Sequence, residues 1–300
     1  MTSSDERLDA CPACGRRELS VLDATAGLSA CAACRFAFAN PRPTPAALIA
    51  YYSRPAKYDS WLAEEAARDD LWARRLAIVD RYKKPGTLLD VGAGIGQFLA
   101  RARSSFSAVH GTEVSHQAVR IAKERYGIEL LAGPLGEIDL RGATFDNVTL
   151  IHVLEHVHDP RAELLRCREL LSEDGMIFVA VPNDLRSWEL KLKTLVRRQA
   201  GRLPPNVGAC GIPRVGLDGS VDEIHLSQFT PASLGRLMDR CGFEVIAMTL
   251  DPYFVRTGFR LLLHRAYYRA HLALNRLCGV NGYNAMLAIG KKRGAFQSAR

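Results

Sequence analysis

The sequence predicts an α/β fold: a doubly wound, mostly parallel sheet of seven strands, preceded by a small N-terminal zinc ribbon. Three observations carry that expectation. Four cysteines stand in two close pairs near the start; short apolar segments alternate with helical patterns from Thr87 onward; and a glycine-rich turn directly follows the first of those segments. A chain of 300 residues with 48% apolar composition suffices for one large core and a small satellite.

The ribbon rests on Cys11-x2-Cys14 and Cys31-x2-Cys34, separated by sixteen residues. This spacing lets two knuckles offer four thiolates to one tetrahedral zinc. So short a segment builds no core of its own, so the metal would supply much of its folding free energy. Two disulfides are the alternative. They are disfavoured because "MTSSDERLDA" lacks the basic flank and apolar run of an export signal, so a cytoplasmic, reducing compartment is expected. Four thiolates leave no open position for chemistry, so the zinc is expected to be structural. Cys167, Cys210, Cys241 and Cys278 stand singly and read as buried free thiols.

Residues 1–42 thus form the ribbon, and residues 43–85 a helical arm. The prolines of "NPRPTP" (Asn40–Pro45) make a stiff connector, after which apolar residues recur at helical spacing, interrupted at Pro55 and ended by "KKPG". In the remainder, residues 86–300, "TLLDV", "AVHGTEV", "IELLAG", "FDNVTLI" and "MIFVAVP" read as five buried strands. Ser115 caps the helix that ends at Gly127, and Asp159-Pro160 starts another. "FEVIAMTL" and "YNAMLAIGKK" close the sheet as an antiparallel pair. No segment reaches the ~18 uncharged apolar residues of a membrane span.

Glycines at 92, 94 and 96 let the backbone turn sharply and bring a ligand against bare amides. A dinucleotide fingerprint would need a small residue at position 97, where Gln97 stands. Asp90-x-Gly92-x-Gly94-x-Gly96, with an acid closing the second strand at Glu113, instead resembles the first two motifs of class I S-adenosylmethionine-dependent methyltransferases, a Rossmann-like family. The likeness is dense over residues 86–183. It implies S-adenosylmethionine as cofactor, held near Asp90, Gly92, Gly94, Gln97 and Val114, with Glu113 on both ribose hydroxyls and Leu135 at the adenine.

"IHVLEHVHDP" (Ile151–Pro160) contains H-x-x-E-H, a spacing also used by zinc peptidases. That chemistry needs a sustained helix, and Pro160 starts a new one too soon. The segment resembles the L-E-H-V-x-D-P run that follows strand four in the methyltransferases, which implies that His152 touches the cofactor and faces the acceptor. A histidine there, with an ordinary pKa of ~6.5, can act as general base. His152 is the first candidate and His156 another; the alternative is that Glu155 and His156 only hydrogen-bond backbone. Some relatives acting on catechol-like hydroxyls hold a divalent metal here with acidic residues; the corresponding first position is His152, so no catalytic metal is expected. His158 reads as a surface residue.

Residues 184–228 form an insertion, a basic helix and a Gly/Pro loop, which in the family shapes the acceptor pocket as a lid. "DEIHLSQFTPASL" resembles the connector that follows it and brings His225 to that pocket. The acceptor implied is a small molecule, a sugar or natural-product hydroxyl or amine. Residues 184–300 hold 18 Lys/Arg against 8 Asp/Glu, whereas residues 1–183 hold 22 against 24. With the ribbon, this basic part raises an RNA methyltransferase as the alternative function. Against it, no N/D-P-P-Y/F-type tetrapeptide follows strand four. A cofactor-binding protein without catalysis is a third class. The amphipathic stretch near 254–278 packs on the domain or in a dimer, or docks on an anionic membrane surface. The sequence does not fix an oligomeric state.

Overall fold

The computed structural model of the chain describes residues 5–54, 58–219 and 223–294. Its centre is a sheet of β1 (Thr87–Val91), β2 (Ala108–Glu113), β3 (Leu131–Ala132), β4 (Phe145–Ile151), β5 (Leu171–Pro182), β6 (Phe243–Leu250) and β7 (Ala285–Lys292). The order across the sheet is β3-β2-β1-β4-β5-β7-β6. β7 runs antiparallel to both neighbours and every other pair is parallel. The fold class is therefore the expected one, and the chain reverses its direction of travel across the sheet between β1 and β4. Open α/β sheets bind ligands outside the strand ends at such a switch point.

β1 and β4 are buried along most of their length because both faces are covered, and the polar Asp90, Asn147 and Thr149 are buried with their apolar neighbours. Leu89, Val91, Val148 and Leu150 pack with Leu164, Phe229 and Leu234 on one side. Leu88 and Phe178 pack with Val79, Phe98 and Leu99 on the other. The helices start where the sequence marks them. Ser115 Oγ accepts from Ala118 N–H ahead of helix His116–Tyr126, which ends at Gly127 in the left-handed region. Asp159 accepts from Ala162 N–H ahead of Pro160–Leu170. Thr230 and Ser233 form a capping box on Pro231–Arg240.

The differences are local. "IELLAG" yields only the two residues of β3, paired with Thr112 and Glu113 at the sheet edge. Ile128 and Leu130 are still turned inward and buried. β5 begins at Leu171, but its ladder shifts before Met176 and is continuous only from there. The arm forms helices Pro45–Tyr52, Asp59–Ala63 and Glu65–Tyr82; the predicted break at Pro55 lies outside the described residues. The amphipathic stretch is helical over Gly258–Cys278 and leaves Phe259, Leu262, Leu263 and Leu277 exposed. Of the single cysteines, Cys167 and Cys241 are buried as expected, Cys210 is half-buried, and Cys278, at the end of that exposed helix, is exposed. Among the described residues no helix is long and apolar enough to cross a membrane.

The N-terminal strands Leu19–Asp23, Leu28–Cys31 and Ala37–Ala39 form a second sheet, completed by Ser227–Gln228 from the far end of the insertion. Phe36 meets Phe229 edge-on at 5.2 Å, and an Arg236 guanidinium N–H donates to the Cys34 carbonyl at 2.9 Å. Ile212 of the insertion packs on Ala26, Leu28 and Ala39. The insertion thus packs against the N-terminal sheet and, through Leu217 and Ile224, against helix Pro45–Tyr52, and residues 220–222 within it fall outside the described part.

Candidate active site

A cavity of about 610 Å³ opens at the carboxyl ends of β1, β2 and β4. One half is built from the glycine turn and the end of β2. Gly92 has φ 66° and Gly94 φ 55°. A Cβ at Gly92 would meet Val153 Cγ2 at 2.6 Å, and one at Gly94 would meet the Trp61 ring at 3.0 Å. Bare backbone here is a steric requirement. Glu113 is buried, with Oε2 accepting from Gly94 N–H and Oε1 from Ser115 N–H, both at 2.8 Å. Burial raises its pKa while these amides work in the opposite direction. Each carboxylate oxygen retains a second lone pair for a ligand hydroxyl. Val114 and Leu135 line the same half. Asp90 also lines it, accepting from the Thr149 hydroxyl at 2.6 Å; burial pushes its pKa up to about 7. Gln97 does not line the cavity: it is buried and accepts from the Trp72 indole N–H at 3.2 Å. The glycine cradle and the carboxylate fit the S-adenosylmethionine that the resemblance implies.

Sequence reasoning missed the arm's part in this half. Tyr58, Trp61, Arg68 and Trp72 all line the cavity, and the Arg68 guanidinium lies 4.2 Å from the Trp61 ring centre. The aromatics of "YYSRPAKYDSW" were the available signal.

The other half holds the histidines. His152 leaves β4 at φ 57°, uncommon for a residue with a side chain, with its N–H donating to Ala180 O at 2.9 Å. Its Nδ1 stands 3.1 Å from Glu155 Oε1 and its Nε2 2.9 Å from Asp251 Oδ2. Ionised carboxylates only accept, so both ring nitrogens carry protons and the ring is an imidazolium. Burial opposes that charge, but the bonds to Asp251 and Glu155 raise the pKa to about 8. Asp251, just past β6, is fully buried and gripped by Arg75 through Nε at 2.9 Å and Nη2 at 2.6 Å. Burial works against its carboxylate, and Arg75 holds its pKa well below the usual range.

Glu155 is also fully buried; its Oε1 faces His152, and its Oε2 has no hydrogen-bond partner among the described residues. Burial opposes its charge, yet His152 and the neighbouring imidazoles lower its pKa to about 2. His156 Nδ1 lies 2.7 Å from Ile224 O and 2.8 Å from the Tyr52 hydroxyl. His225 Nδ1 faces Asp184 Oδ2 at 3.7 Å, and the His156 and His225 ring centres are 5.1 Å apart. The structure therefore brings His152, His156 and His225 to one wall of the cavity. Residues 152–156 turn rather than form a helix, so the peptidase arrangement is absent. His158, expected at the surface, is half-buried with Nε2 2.8 Å from Pro43 O, because the chain entering the arm packs over it.

Away from the cavity, the sulfurs of Cys11 and Cys34, and those of Cys14 and Cys31, are 3.6 Å apart, and all four lie within 4.8 Å of one another. A tetrahedral zinc with ~2.3 Å bonds to sulfur separates its ligands by roughly 3.8 Å, so the thiol set fits that ion. The residue after each pair, Gly15 at φ 73° and Arg35 at φ 57°, turns in the left-handed region.

Comparison with known proteins gives one family. The profile described as "Methyltransferase domain" matches residues 58–248. The Ubiquinone biosynthesis O-methyltransferase of Idiomarina loihiensis is 33% identical over 117 residues, 34% of this chain and 45% of that protein. The protein of the same name from Nitrosospira multiformis is 26% identical over 195 residues, 59% of this chain and 73% of that one. The chain thus spans under half of the first relative's length. In structure, an S-adenosylmethionine-dependent methyltransferase from Thermotoga maritima superposes with a TM-score of 0.51 at 17% identity, covering 82% of this chain and all of that one.

Proposed function

The chain belongs to the methyltransferase-domain family, and from that premise we propose that it transfers a methyl group from S-adenosylmethionine to a hydroxyl of a small-molecule acceptor. One observation carries the reading: a single cavity joins the Gly92–Gly94 cradle and Glu113 to a wall of titratable side chains from three distant segments. The curated relatives are named O-methyltransferases, which supports oxygen over nitrogen.

S-adenosylmethionine supplies a methyl group on a sulfonium, open to in-line displacement. The protein's work is alignment and management of the acceptor proton. Glu113 would accept hydrogen bonds from the ribose hydroxyls, Asp90, Val114 and Leu135 would border the cofactor, and Tyr58 and Trp61 of the arm would keep water from it. His152, a donor on both nitrogens, positions Glu155 and Asp251. The acceptor hydroxyl is oriented against Glu155, His156 and His225, whose lone pairs draw its proton. We read residues 1–42 as the ribbon, 43–85 as the arm, and 86–300 as the catalytic unit with its insertion at 184–228.

Glu113→Ala tests the cofactor side. Two charge-assisted bonds, worth about 1.5–3 kcal/mol each before losses, are removed. S-adenosylmethionine affinity should fall at least tenfold by calorimetry with the circular dichroism spectrum unchanged; wild-type affinity refutes the assignment. Release of S-adenosylhomocysteine with a panel of hydroxylated small molecules tests the acceptor side. Turnover confined to RNA, with binding that collapses as salt rises, would replace this reading.

A further inference from the structure

We infer that helix Gly258–Cys278 docks the protein on an anionic lipid surface, lying in the plane of the interface with its outward stripe among the acyl chains and its arginines at the headgroups. The helix packs on the molecule by one face only. Tyr268 donates its hydroxyl to Leu250 O at 3.2 Å, His271 is buried, and the ring centres of Tyr268 and His271 lie 5.5 and 5.8 Å from that of Tyr283. At 3.6 residues per turn, Phe259, Leu262, Leu263, Ala266, Ala270 and Leu277 fall on the opposite side, and all six are exposed. Phe259 is 73% exposed and Leu277 83%. Single exposed apolar residues are ordinary, but a stripe running the length of a 21-residue helix, about 31 Å, marks a surface that something covers.

The charge around the stripe selects what covers it. Arg265, Arg269 and Arg276 recur at steps of four and seven along one flank, Arg260 stands on the other, and all four are exposed. From Pro252 to the last residue the sequence holds no Asp or Glu. A second copy laid on this face would bring arginines together with no acid on the helix to answer them. A polynucleotide would match the charge and leave the large apolar side chains uncovered. Anionic headgroups above an acyl interior match both, since arginine stems reach headgroup level beside a buried apolar face. The helix is not long and apolar enough to cross a membrane, so it would lie along the surface. A second helix adds to the patch: Trp188–Gln199 exposes Trp188, Leu192, Leu195 and Val196 beside Lys191 and Arg198. It starts against the first, with the Trp188 and His271 ring centres 5.2 Å apart.

Docking is independent of the methyl-transfer reading and is measured without donor or acceptor. The full chain is co-sedimented with vesicles of equal parts phosphatidylglycerol and phosphatidylcholine, and with vesicles of phosphatidylcholine alone. We expect at least tenfold tighter binding to the first. That binding should weaken at least tenfold in the double variant Phe259→Ser, Leu277→Ser and in the triple variant Arg265→Gln, Arg269→Gln, Arg276→Gln. Both variants change only exposed side chains, so the circular dichroism spectrum should be unchanged and S-adenosylmethionine affinity should stay within twofold. Equal binding to the two kinds of vesicle, no binding to either, or wild-type binding by either variant overturns the surface. So does a wild-type dimer in light scattering that the Phe259→Ser, Leu277→Ser change turns into a monomer, which would give the stripe to a second copy.

Discussion

Asp90 and Glu113 line the same cavity, but backbone amides satisfy Glu113 whereas Asp90 has one hydroxyl donor. An acid whose folded pKa is raised binds its proton more tightly in the folded chain, so its contribution to stability falls as pH rises between the unfolded and folded values. For Asp90 that window runs from 3.8 to about 7. Asp90→Asn should therefore raise the thermal midpoint of the ligand-free protein at pH 8, by a free energy of at most about 4 kcal/mol, with the gain vanishing towards pH 4. A lower midpoint at pH 8 would contradict the penalty. Arg75 and Asp251 show the opposite case, a buried pair with matched geometry. Removing Arg75 leaves the buried Asp251 carboxylate with His152 as its remaining charged partner, so Arg75→Met should cost about 3–5 kcal/mol in denaturant unfolding; a loss under 1 kcal/mol would mean that His152 alone holds the Asp251 charge. This pair was invisible in the sequence. An arginine on helix Glu65–Tyr82 reads as a solvated charge, and its partner comes from the far side of the sheet. The residues with a local rule behind them, Gly92, Gly94 and Glu113, were legible.

Elements were read well where a local device sets them. Ser115, Asp159 and Thr230 cap the helices their side chains announce, since capping is a contact over three residues. β3 was overread because inward-turned Ile128 and Leu130 share a strand's alternation, whereas pairing depends on a neighbour that only Leu131 and Ala132 reach. The glycine turn supplies the prediction at this scale. Gly92→Ala would force a side chain into the left-handed region and drive its methyl into Val153. Of order 1–3 kcal/mol of backbone strain follows, and because relief must come from moving the turn, cofactor affinity should fall more than stability does. Calorimetry beside thermal melting separates the two, and unchanged affinity would show that the turn is not the cofactor's bed.

At the scale of the whole molecule, the four cysteines were plain in the sequence but their relation to the catalytic unit was not. Pairing between Ala37–Ala39 and Ser227–Gln228 joins segments that no periodicity connects. It continues inward: Ala39 N–H donates to Leu226 O, and Leu226 and Ser227 N–H donate to Glu155 O. The ribbon thus reaches the backbone that carries His225 and Glu155. Cys11→Ser with Cys14→Ser should remove about one zinc per chain by metal analysis and speed amide exchange over residues 224–229, leaving β1 and β2 protected. Unchanged zinc content, or unchanged exchange in that stretch, would separate ribbon from site. The same pairing sets an order of events during synthesis. Ala37–Ala39 emerges from the ribosome early and remains an outer edge, three residues long, until the connector has been made. So short an edge offers little to a stray strand. A strand made well before the connector is therefore among the last to be finished, and its completion waits on the segment that brings His225 to the cavity.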